Sequence, residues 1–352
     1  MKRIKSIDGK ELYDIIRSLD NITDSLYDSC KNHSKNHTVQ RIKENPIPYI
    51  EELKKILDSE DFHYGKFTHR IINERGKKRE LCYTKTFPDR AIEHCVMNVV
   101  APILHSSIPS CSWAAIKGRG AHHCSAKLHK DLISDKNGTR YCLKMDIHHF
   151  FDSIDRHILF DMIRKKIKCG RTLKILHTII FEAPGSKGLK IGQYSSQILS
   201  VFYLSEFIHW LKEAVHVRYL YVYMDDIVIL ADNKNILHEY LGKIRQYLDV
   251  FLHLQLKGNY AIFPVEKRRV DFVGYVHNHQ TVMMRKSTKR KYVRRCTNMV
   301  RHVMNHIQIT VHDVLSKQSY EGMFTWCTDK HLIEKYDGIV DTAITFGVRI
   351  CN

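Results

Sequence analysis

Two short apolar runs near the middle of the chain have the composition of β-strands. The runs 219–224 and 227–230 are rich in aromatic and β-branched residues, and only Asp225 and Asp226 separate them. Two such runs joined by two turn-forming residues predict a β-hairpin. The sequence therefore predicts two adjacent carboxylates at the tip of a hairpin.

A third strand pattern, at 141–147, ends with another aspartate, Asp146. Adjacent carboxylates repel each other unless a cation or a raised pKa relieves the repulsion. Asp is also common in ordinary turns, so the hairpin alone is equally consistent with a turn that has no further role. Three carboxylates at strand ends of one sheet suit Mg²⁺, which takes carboxylate oxygens together with substrate phosphates. Asp146, Asp225 and Asp226 are thus candidate ligands for metal-dependent phosphoryl transfer.

Strands and helices alternate along the rest of the chain. Strand-like alternation predicts a hairpin at 67–83, with its turn at Gly76-Lys77, and a strand with a turn at 270–276. A helical tail follows Met284. This alternation indicates an α/β or α+β core. Apolar spacing predicts helices at 11–16, 50–57, 89–103, 124–133, 157–168, 195–214 and 236–254.

The charge balance favours a polyanionic partner. The 56 Lys and Arg residues against 38 Asp and Glu residues give a net charge of +18 at pH 7, spread along the chain. Residues 117–120 (Lys-Gly-Arg-Gly) form a basic glycine loop, for which a plain turn is the alternative. Seven of the eleven residues at 285–295 are cations, for which a solvated helix face is the alternative. The alternative for the charge as a whole is a merely basic protein. Nucleic-acid contact is the stronger interpretation. The candidate basic residues are Lys77, Lys78, Lys117, Arg119, Arg285, Lys289 and Arg290.

The cysteine pattern and the hydropathy of the chain argue against several classes of protein. The ten cysteines include no Cys-x-x-Cys pair, which argues against a zinc ribbon and a disulfide framework and favours reduced thiols. His148 and His149 lack a partner at metal-ligand spacing and are expected at the surface. No uncharged apolar run reaches 18 residues, so we predict a cytoplasmic protein without a membrane span.

The order of these features resembles that of a reverse transcriptase over roughly residues 65–330. The resemblance rests on Tyr223-Met224-Asp225-Asp226 and on 146–154, where Asp146 is followed by two phenylalanines. It implies an α+β right-hand polymerase fold with fingers, a palm with an antiparallel sheet, and a helical thumb. It also implies an N-terminal helical extension at 1–64, fingers and palm at 65–280, and a thumb and C-terminal tail at 281–352.

The resemblance implies template-directed nucleotidyl transfer with two Mg²⁺ ions, for which Mn²⁺ can substitute. It makes Asp146, Asp225, Asp226 and the carbonyl of Ile147 the metal ligands. Phe151 matches the aromatic residue that excludes a 2′-hydroxyl and so selects deoxynucleotides. The alternative is that Phe151 is a phenylalanine of the core.

The remaining implied roles concern the nucleotide and the primer. Arg79 matches an arginine that stacks on the incoming base and contacts its phosphates. Lys257 lies near the position of a lysine that protonates pyrophosphate. Gly274 and Tyr275 resemble the primer grip, for which a core strand with a turn is the alternative.

Within the family, 191–197 (Ile-Gly-Gln-Tyr-Ser-Ser-Gln) resembles the reverse transcriptases of diversity-generating retroelements. Those enzymes copy a template-repeat RNA into cDNA with frequent errors opposite adenine. The resemblance then implies a nucleotide-binding segment that begins at Ile191 and ends at Gln197. Accurate relatives have glutamine at the position of Ile191, and isoleucine cannot form hydrogen bonds, so we expect lower fidelity. The alternative is that Ile191 has only a structural role and packs within a β-turn.

The implied partners are template RNA, the cDNA primer and product, dNTPs and a small basic accessory protein. One alternative is a group II intron, retron or defence-type reverse transcriptase. Another is a non-catalytic RNA-binding maturase or scaffold. The complete set of three aspartates argues against the scaffold, because unpaired carboxylates are costly to retain.

Overall fold

The computed structural model of the chain describes residues 3–74, 76–339 and 350–351. The chain divides into two compact units, each built from several stretches of sequence. The first unit comprises Met1–Ile116, Ile147–His216 and Gly242–Lys257, and the second comprises Lys117–Asp146, Val217–Leu241 and Gly258–Asn352. The division at residues 64 and 280 implied by the resemblance stays a prediction.

The elements of the described residues follow in chain order. The helices are α1 Leu12–Ile16, α2 Leu19–Cys30, α3 His37–Glu44, α4 Ile47–Ser59, α5 Ala91–His105, α6 Ala121–Ser134, α7 Phe150–Ser153, α8 Arg156–Arg164, α9 Gly170–Phe181, α10 Tyr194–Tyr203, α11 Ser205–Glu213, α12 Lys234–Leu252, α13 Lys286–Met304, α14 Val311–Phe324 and α15 His331–Lys335. The strands are β1 Ser6–Ile7, β2 Lys10–Glu11, β3 Thr68–Glu74, β4 Lys77–Tyr83, β5 Tyr141–Asp146, β6 Tyr219–Tyr223, β7 Asp226–Ala231, β8 Ala261–Pro264, β9 Val270–Phe272, β10 Tyr275–His277, β11 Val282–Met284, β12 Ile309–Thr310 and β13 Ile350–Cys351.

The first unit is organised around α5. Nearly every side chain of this helix is buried, and it packs against α1, α2, α9 and α10. A helix that is apolar on all sides is stable only when other elements surround it. The hairpin β3–β4 extends from this unit with Glu74 paired to Lys77. Lys77 therefore belongs to β4, and the predicted turn at Gly76-Lys77 is wrong at Lys77 because this residue completes the ladder.

The second unit contains a four-stranded sheet in the order β6-β7-β5-β8, with every pair antiparallel. Its central strands are apolar, with Leu143 and Ile229 fully buried. A smaller sheet, β11-β10-β9, has a two-residue turn at Val273 and Gly274, both with positive φ. Such turns match the twist of a hairpin. The sheet and α13–α14 share a core that includes Tyr275, Tyr292 and Phe324.

The structure confirms the α+β class and the predicted carboxylate strand and hairpin. It differs in a few elements. The predicted helix 195–214 consists of α10 and α11, separated at Leu204. The pattern did not reveal α9, which begins at a glycine, or the short strands β8 and β11.

Two further properties concern the cysteines and the hydropathy of the helices. The nine cysteines whose side chains the structure describes are free thiols. Among the described residues, no helix combines the length and apolar character needed to cross a bilayer.

Candidate active site

Asp146, Asp225 and Asp226 lie together at one end of the four-stranded sheet of the second unit. Asp146 ends β5, Asp226 begins β7, and the antiparallel register places these two residues directly opposite each other. Asp226 also pairs with Tyr223 on β6. The hairpin loop is therefore Met224 and Asp225, and the prediction of an Asp-Asp tip is wrong because pairing on both sides holds Asp226 in the strand.

The loop places a non-glycine residue in a left-handed backbone conformation. Met224 has φ of 53°. This conformation typically costs about 1–3 kcal/mol outside glycine and persists only where the surroundings impose it. Both neighbours of the loop, Tyr223 and Asp226, are held by the β6–β7 ladder. The ladder therefore dictates the backbone from which Asp225 projects.

The paired carboxylates suit a divalent cation. Like charges directly opposite each other across antiparallel strands are destabilising, and a cation removes that repulsion. Among the residues that the structure describes, no group of three or more His, Cys, Asp or Glu side chains could hold a metal ion. A divalent ion at Asp146 and Asp226 would need additional oxygens from a bound phosphate, the usual arrangement for Mg²⁺. The donor set fits a divalent metal that shares the oxygens of a bound phosphate.

Helix α6 holds the strand that leads into the loop. The carboxylate of Asp131 accepts a short hydrogen bond from the buried Tyr221 hydroxyl, and Asp135 Oδ2 accepts one from the Tyr219 hydroxyl at 2.7 Å. Lys127 Nζ lies 2.6 Å from both oxygens of Asp131. Burial raises the pKa of Tyr219 to about 12, so this hydroxyl stays protonated as a donor. We call these two hydrogen bonds the α6–β6 clamp.

Asp131 and Asp135 were not predicted from the sequence. Asp131 lies in the last turn of α6, and Asp135 directly follows this helix. Tyr219 and Tyr221, two apart on a strand, share one face of the sheet. The sequence pattern gave no indication that this face meets the end of α6.

Three residues predicted to contact the nucleotide lie on connected segments of the first unit. Phe151 is half-buried on α7, and its carbonyl accepts the N–H of Leu189 at 2.8 Å. Ile191 is half-buried, and its carbonyl accepts the N–H of Cys82 at 2.8 Å. Cys82 lies on β4, the strand that carries Arg79. Backbone hydrogen bonds therefore connect both α7 and β4 to the loop 188–193.

Two glycines allow this close approach. A Cβ on Gly188 would lie 2.7 Å from the carbonyl oxygen of Asp152, and one on Gly192 would lie 2.9 Å from that of Cys82. Both glycines also have positive φ. Any side chain at either position would force the backbones apart.

The other predicted residues of the first unit are less closely connected to this loop. Gln197 is exposed in the first half of α10. Lys257 follows a segment in which Gln255 accepts the N–H of His148 at 2.7 Å and Leu256 bridges to the fully buried Ile147. The side chains of His148 and His149 are exposed, as predicted.

A basic groove runs along α13 in the second unit. Arg285 forms an ion pair with Asp271 at 2.6 Å, and Lys289 one with Asp329 at 3.6 Å, whereas Arg290 is exposed. The groove has a volume of about 390 Å³. Cations grouped on one side of a helix can neutralise the phosphates of a nucleic-acid backbone. The cations that line it are Lys286, Lys289, Arg290, Arg294 and Arg301.

The remaining predicted nucleic-acid contacts differ in exposure. In the second unit, Lys117 is exposed and Arg119 is half-buried. In the first unit, Lys78 is exposed, while the side chain of Lys77 lies outside the described part of the chain.

Tyr275 is buried rather than available to a nucleic acid. Its side chain has no exposed surface, and its hydroxyl lies 2.6 Å from His122 Nδ1 and donates to the Met323 carbonyl at 3.3 Å. The adjacent turn at Val273 and Gly274 is half-buried. Alternation along β10 directs the Tyr275 side chain into the core, so the predicted primer grip stays a prediction that concerns the turn rather than this side chain.

Comparison with known proteins places these features in a family. The model of the family "Reverse transcriptase (RNA-dependent DNA polymerase)" matches residues 71–276, more than half of the chain. Protein YkfC of Escherichia coli (strain K12) is 27% identical over 172 residues, which cover 45% of this chain and 43% of YkfC. The uncharacterized mitochondrial protein ymf11 of Marchantia polymorpha is 22% identical over 111 residues, covering 31% and 15%. The matches thus span less than half the length of these curated relatives.

A solved structure shows the same fold. Telomerase from Candida Tropicalis, in complex with the TWJ fragment of telomeric RNA, superposes with a TM-score of 0.50 at 14% identity. The superposition covers 87% of this chain and 57% of the telomerase. At this identity the likeness concerns the fold alone. The family match over the hairpin and the carboxylate strand shows that the chain belongs to the reverse transcriptase (RNA-dependent DNA polymerase) family.

Proposed function

We propose that this chain is an RNA-directed DNA polymerase that extends a primer 3′-hydroxyl with deoxynucleotides on an RNA template. The observation that carries the proposal is the register that places Asp146 opposite Asp226, next to the Met224-Asp225 loop. The same register in a chain without family membership would indicate a cation site only. Membership of the reverse transcriptase family makes nucleotidyl transfer the reaction that this edge supports best.

In this proposal Asp146, Asp225, Asp226 and the carbonyl of Ile147 hold two Mg²⁺ ions, for which Mn²⁺ can substitute. When bound, such ions activate the 3′-hydroxyl and neutralise charge on the departing pyrophosphate. The role of the chain is to keep the carboxylates in register on a rigid sheet, which positions the ligands before substrate binds.

Other side chains act on the nucleotide itself. Arg79 stacks its planar cation on the incoming base and contacts the phosphates. Phe151 occupies the space that a 2′-hydroxyl would need, and Lys257 gives a proton to pyrophosphate. The exposed cations of α13 bind the template and product backbones without regard to sequence.

We further propose that the chain serves a diversity-generating retroelement and copies a template-repeat RNA with errors opposite adenine. The support is the segment 191–197, in which Ile191 offers an apolar contact where a polar group would check nucleotide placement. Gln197 belongs to the same segment. The proposed setting is the cytoplasm, with a small basic accessory protein as partner.

Primer extension tests the polymerase. Purified protein is incubated with an RNA template, a DNA primer, Mg²⁺ and four dNTPs, and Asp225→Asn is compared with Asp232→Asn, the same substitution at an exposed position just after β7. We expect extension by the wild type and by Asp232→Asn, and none by Asp225→Asn. Extension by Asp225→Asn within about twofold of the wild type would contradict the metal-ligand role, since such ligands supply several kcal/mol of catalysis. No extension by the wild type, even with the accessory protein, would favour the scaffold alternative.

Sequencing the products tests the retroelement assignment. We expect errors concentrated opposite template adenine, and fewer of them for Ile191→Gln, because the amide restores a hydrogen-bonding contact. Ile158→Gln, at another half-buried isoleucine of the first unit, is the control and leaves the spectrum unchanged. Accurate copying by the wild type would instead indicate an intron- or retron-type enzyme.

A further inference from the structure

A buried carboxylate of the first unit contacts the second half of the segment 191–197, at Ser195. Glu93 on α5 is only 1% exposed. Its Oε2 accepts the backbone N–H of Ser195 at 2.8 Å, and its Oε1 accepts the hydroxyl of Tyr64 at 2.8 Å. Each carboxylate oxygen thus has a specific donor, and the two donors lie on different segments of the chain.

Glu93 serves as the missing cap of α10. The first N–H groups of a helix have no partner within the helix, and here the N-cap residue, Gln193, forms no side-chain cap. A carboxylate at this position satisfies an N–H and also interacts favourably with the positive end of the helix dipole. The cap comes from another helix, so it fixes where α10 begins relative to α5.

The neighbouring residue on α5 adds a second contact. The ring of His94 stacks on Tyr194, the first residue of α10, with centroids 3.7 Å apart and planes 15° apart. Ile191, only three residues before Tyr194, is held to β4 by the hydrogen bond from Cys82. The segment that contains Ile191 is therefore held by β4 at its beginning and by α5 at its end.

The cap is energetically unusual. Burial raises the pKa of Glu93, and the hydrogen bonds from Ser195 and Tyr64 oppose that rise. A serine or asparagine at the N-cap would satisfy the helix without a buried acid. Such a cap would, however, bond only within its own segment. Glu93 instead connects α5 both to the start of α10 and to Tyr64, which precedes β3.

We propose that Glu93 is a positioning residue for nucleotide selection, which holds the segment 191–197 in the geometry that the incoming deoxynucleotide meets. The inference rests on the proposed function, since this segment selects a nucleotide only in a polymerase. Glu93 itself lies in the core and acts through Ser195 and the backbone that leads to Ile191.

The test uses Glu93→Gln and Tyr64→Phe, which remove the charge and one donor respectively. For each variant the KM for the correct dNTP and the KM for primer-template are measured on the same preparation. KM does not depend on the fraction of active protein, so partial misfolding does not imitate a positioning effect. We expect the dNTP KM to rise about fivefold or more and the primer-template KM to stay within about twofold, as for loss of about 1 kcal/mol of placement.

Tyr13→Phe is the matched control. Tyr13 is a buried tyrosine of the first unit, and its hydroxyl donates to the Leu57 carbonyl at 2.8 Å, remote in sequence from 191–197. We expect wild-type KM values for this variant. The inference is overturned if Tyr64→Phe keeps the wild-type dNTP KM, or if Tyr13→Phe raises it equally. Absence of extension by the wild type would instead refute the proposed function, and this inference with it.

Discussion

Single residues at the edge of the four-stranded sheet combine charge repulsion with backbone strain. Asp146 and Asp226 face each other, and Met224 has a left-handed conformation that its side chain disfavours. The left-handed conformation lowers stability, and the surrounding ladder maintains it. Strained residues that the fold nevertheless holds in place are typical of functional sites.

Phe151 offers a test at the same scale. We predict that Phe151→Val increases the ratio of ribonucleotide to deoxynucleotide incorporation by about tenfold or more, because the smaller side chain leaves room for a 2′-hydroxyl. The ratio is measured by single-nucleotide extension with rUTP and dTTP. Phe160→Val, at another half-buried phenylalanine of the first unit, should leave it unchanged. An unchanged ratio for Phe151→Val would reduce Phe151 to a packing residue.

At the scale of elements, the α6–β6 clamp fixes the position of the β6–β7 hairpin relative to α6. We predict that Tyr221→Phe lowers the free energy of unfolding by about 1–3 kcal/mol, because the buried Asp131 loses a donor. Denaturant titration measures this change. We also expect slower primer extension at equal folded fraction.

Tyr203→Phe is the control for the clamp. Its hydroxyl is also buried and donates to the Leu252 carbonyl at 2.7 Å, within the first unit. We expect Tyr203→Phe to lower the free energy of unfolding by a similar amount and to leave the extension rate unchanged. Equal rates in both variants would show that the clamp contributes only to stability.

The basic groove of α13 is the second prediction about an element. We expect Arg290→Ala combined with Arg294→Ala to weaken binding to RNA–DNA hybrid and to reduce the salt dependence of binding by about one unit of slope for each phosphate that is no longer neutralised. Fluorescence anisotropy across a salt series measures both. The control, Lys267→Ala with Lys330→Ala, removes two exposed cations of the second unit that lie outside the groove. Equal slopes for the two double variants would refute the assignment.

At the scale of the whole molecule, buried histidines make stability depend on pH. Burial, assisted by Arg90, lowers the pKa of His94 to about 4, and burial lowers that of His277 to about 3. Near pH 6.5 and below, the unfolded chain binds protons that the folded chain excludes. The stabilising contribution of these histidines is therefore complete above about pH 6.5 and is lost as the pH falls toward 3–4.

We predict that unfolding free energy falls between pH 7 and pH 5 by up to about 1.4 kcal/mol per pH unit for each histidine below its unfolded pKa. The buried Glu93 and Asp89 oppose this trend, because burial raises their pKa and their contributions are lost as pH rises. Urea titration at both pH values measures the balance. His94→Phe should flatten the dependence, and the exposed His37→Phe should not. A pH slope equal to that of the wild type in His94→Phe would contradict the prediction.

The sequence by itself determined the features that neighbouring residues encode. Continuous apolar, aromatic and β-branched runs on both sides of Asp225 and Asp226 specify a hairpin, and the strand that ends at Asp146 has a similar local signature. These signals are local, because each depends only on side chains within a few positions of one another. They sufficed for the resemblance to the family, which in turn implied the α+β fold, whereas the alternation of strands and helices alone left an α/β core open.

Only the tertiary structure decided which residues face each other. Asp131 and Tyr221 are 90 positions apart, and Glu93 and Ser195 are 102 apart. No local period specifies such partners, so the clamp and the cap were not predicted. The same holds for Asp226, which the sequence pattern placed in the turn and which pairing on both sides drew into β7. Burial of Tyr275 also depended on packing, because a strand has two faces and its surroundings decide which one is covered.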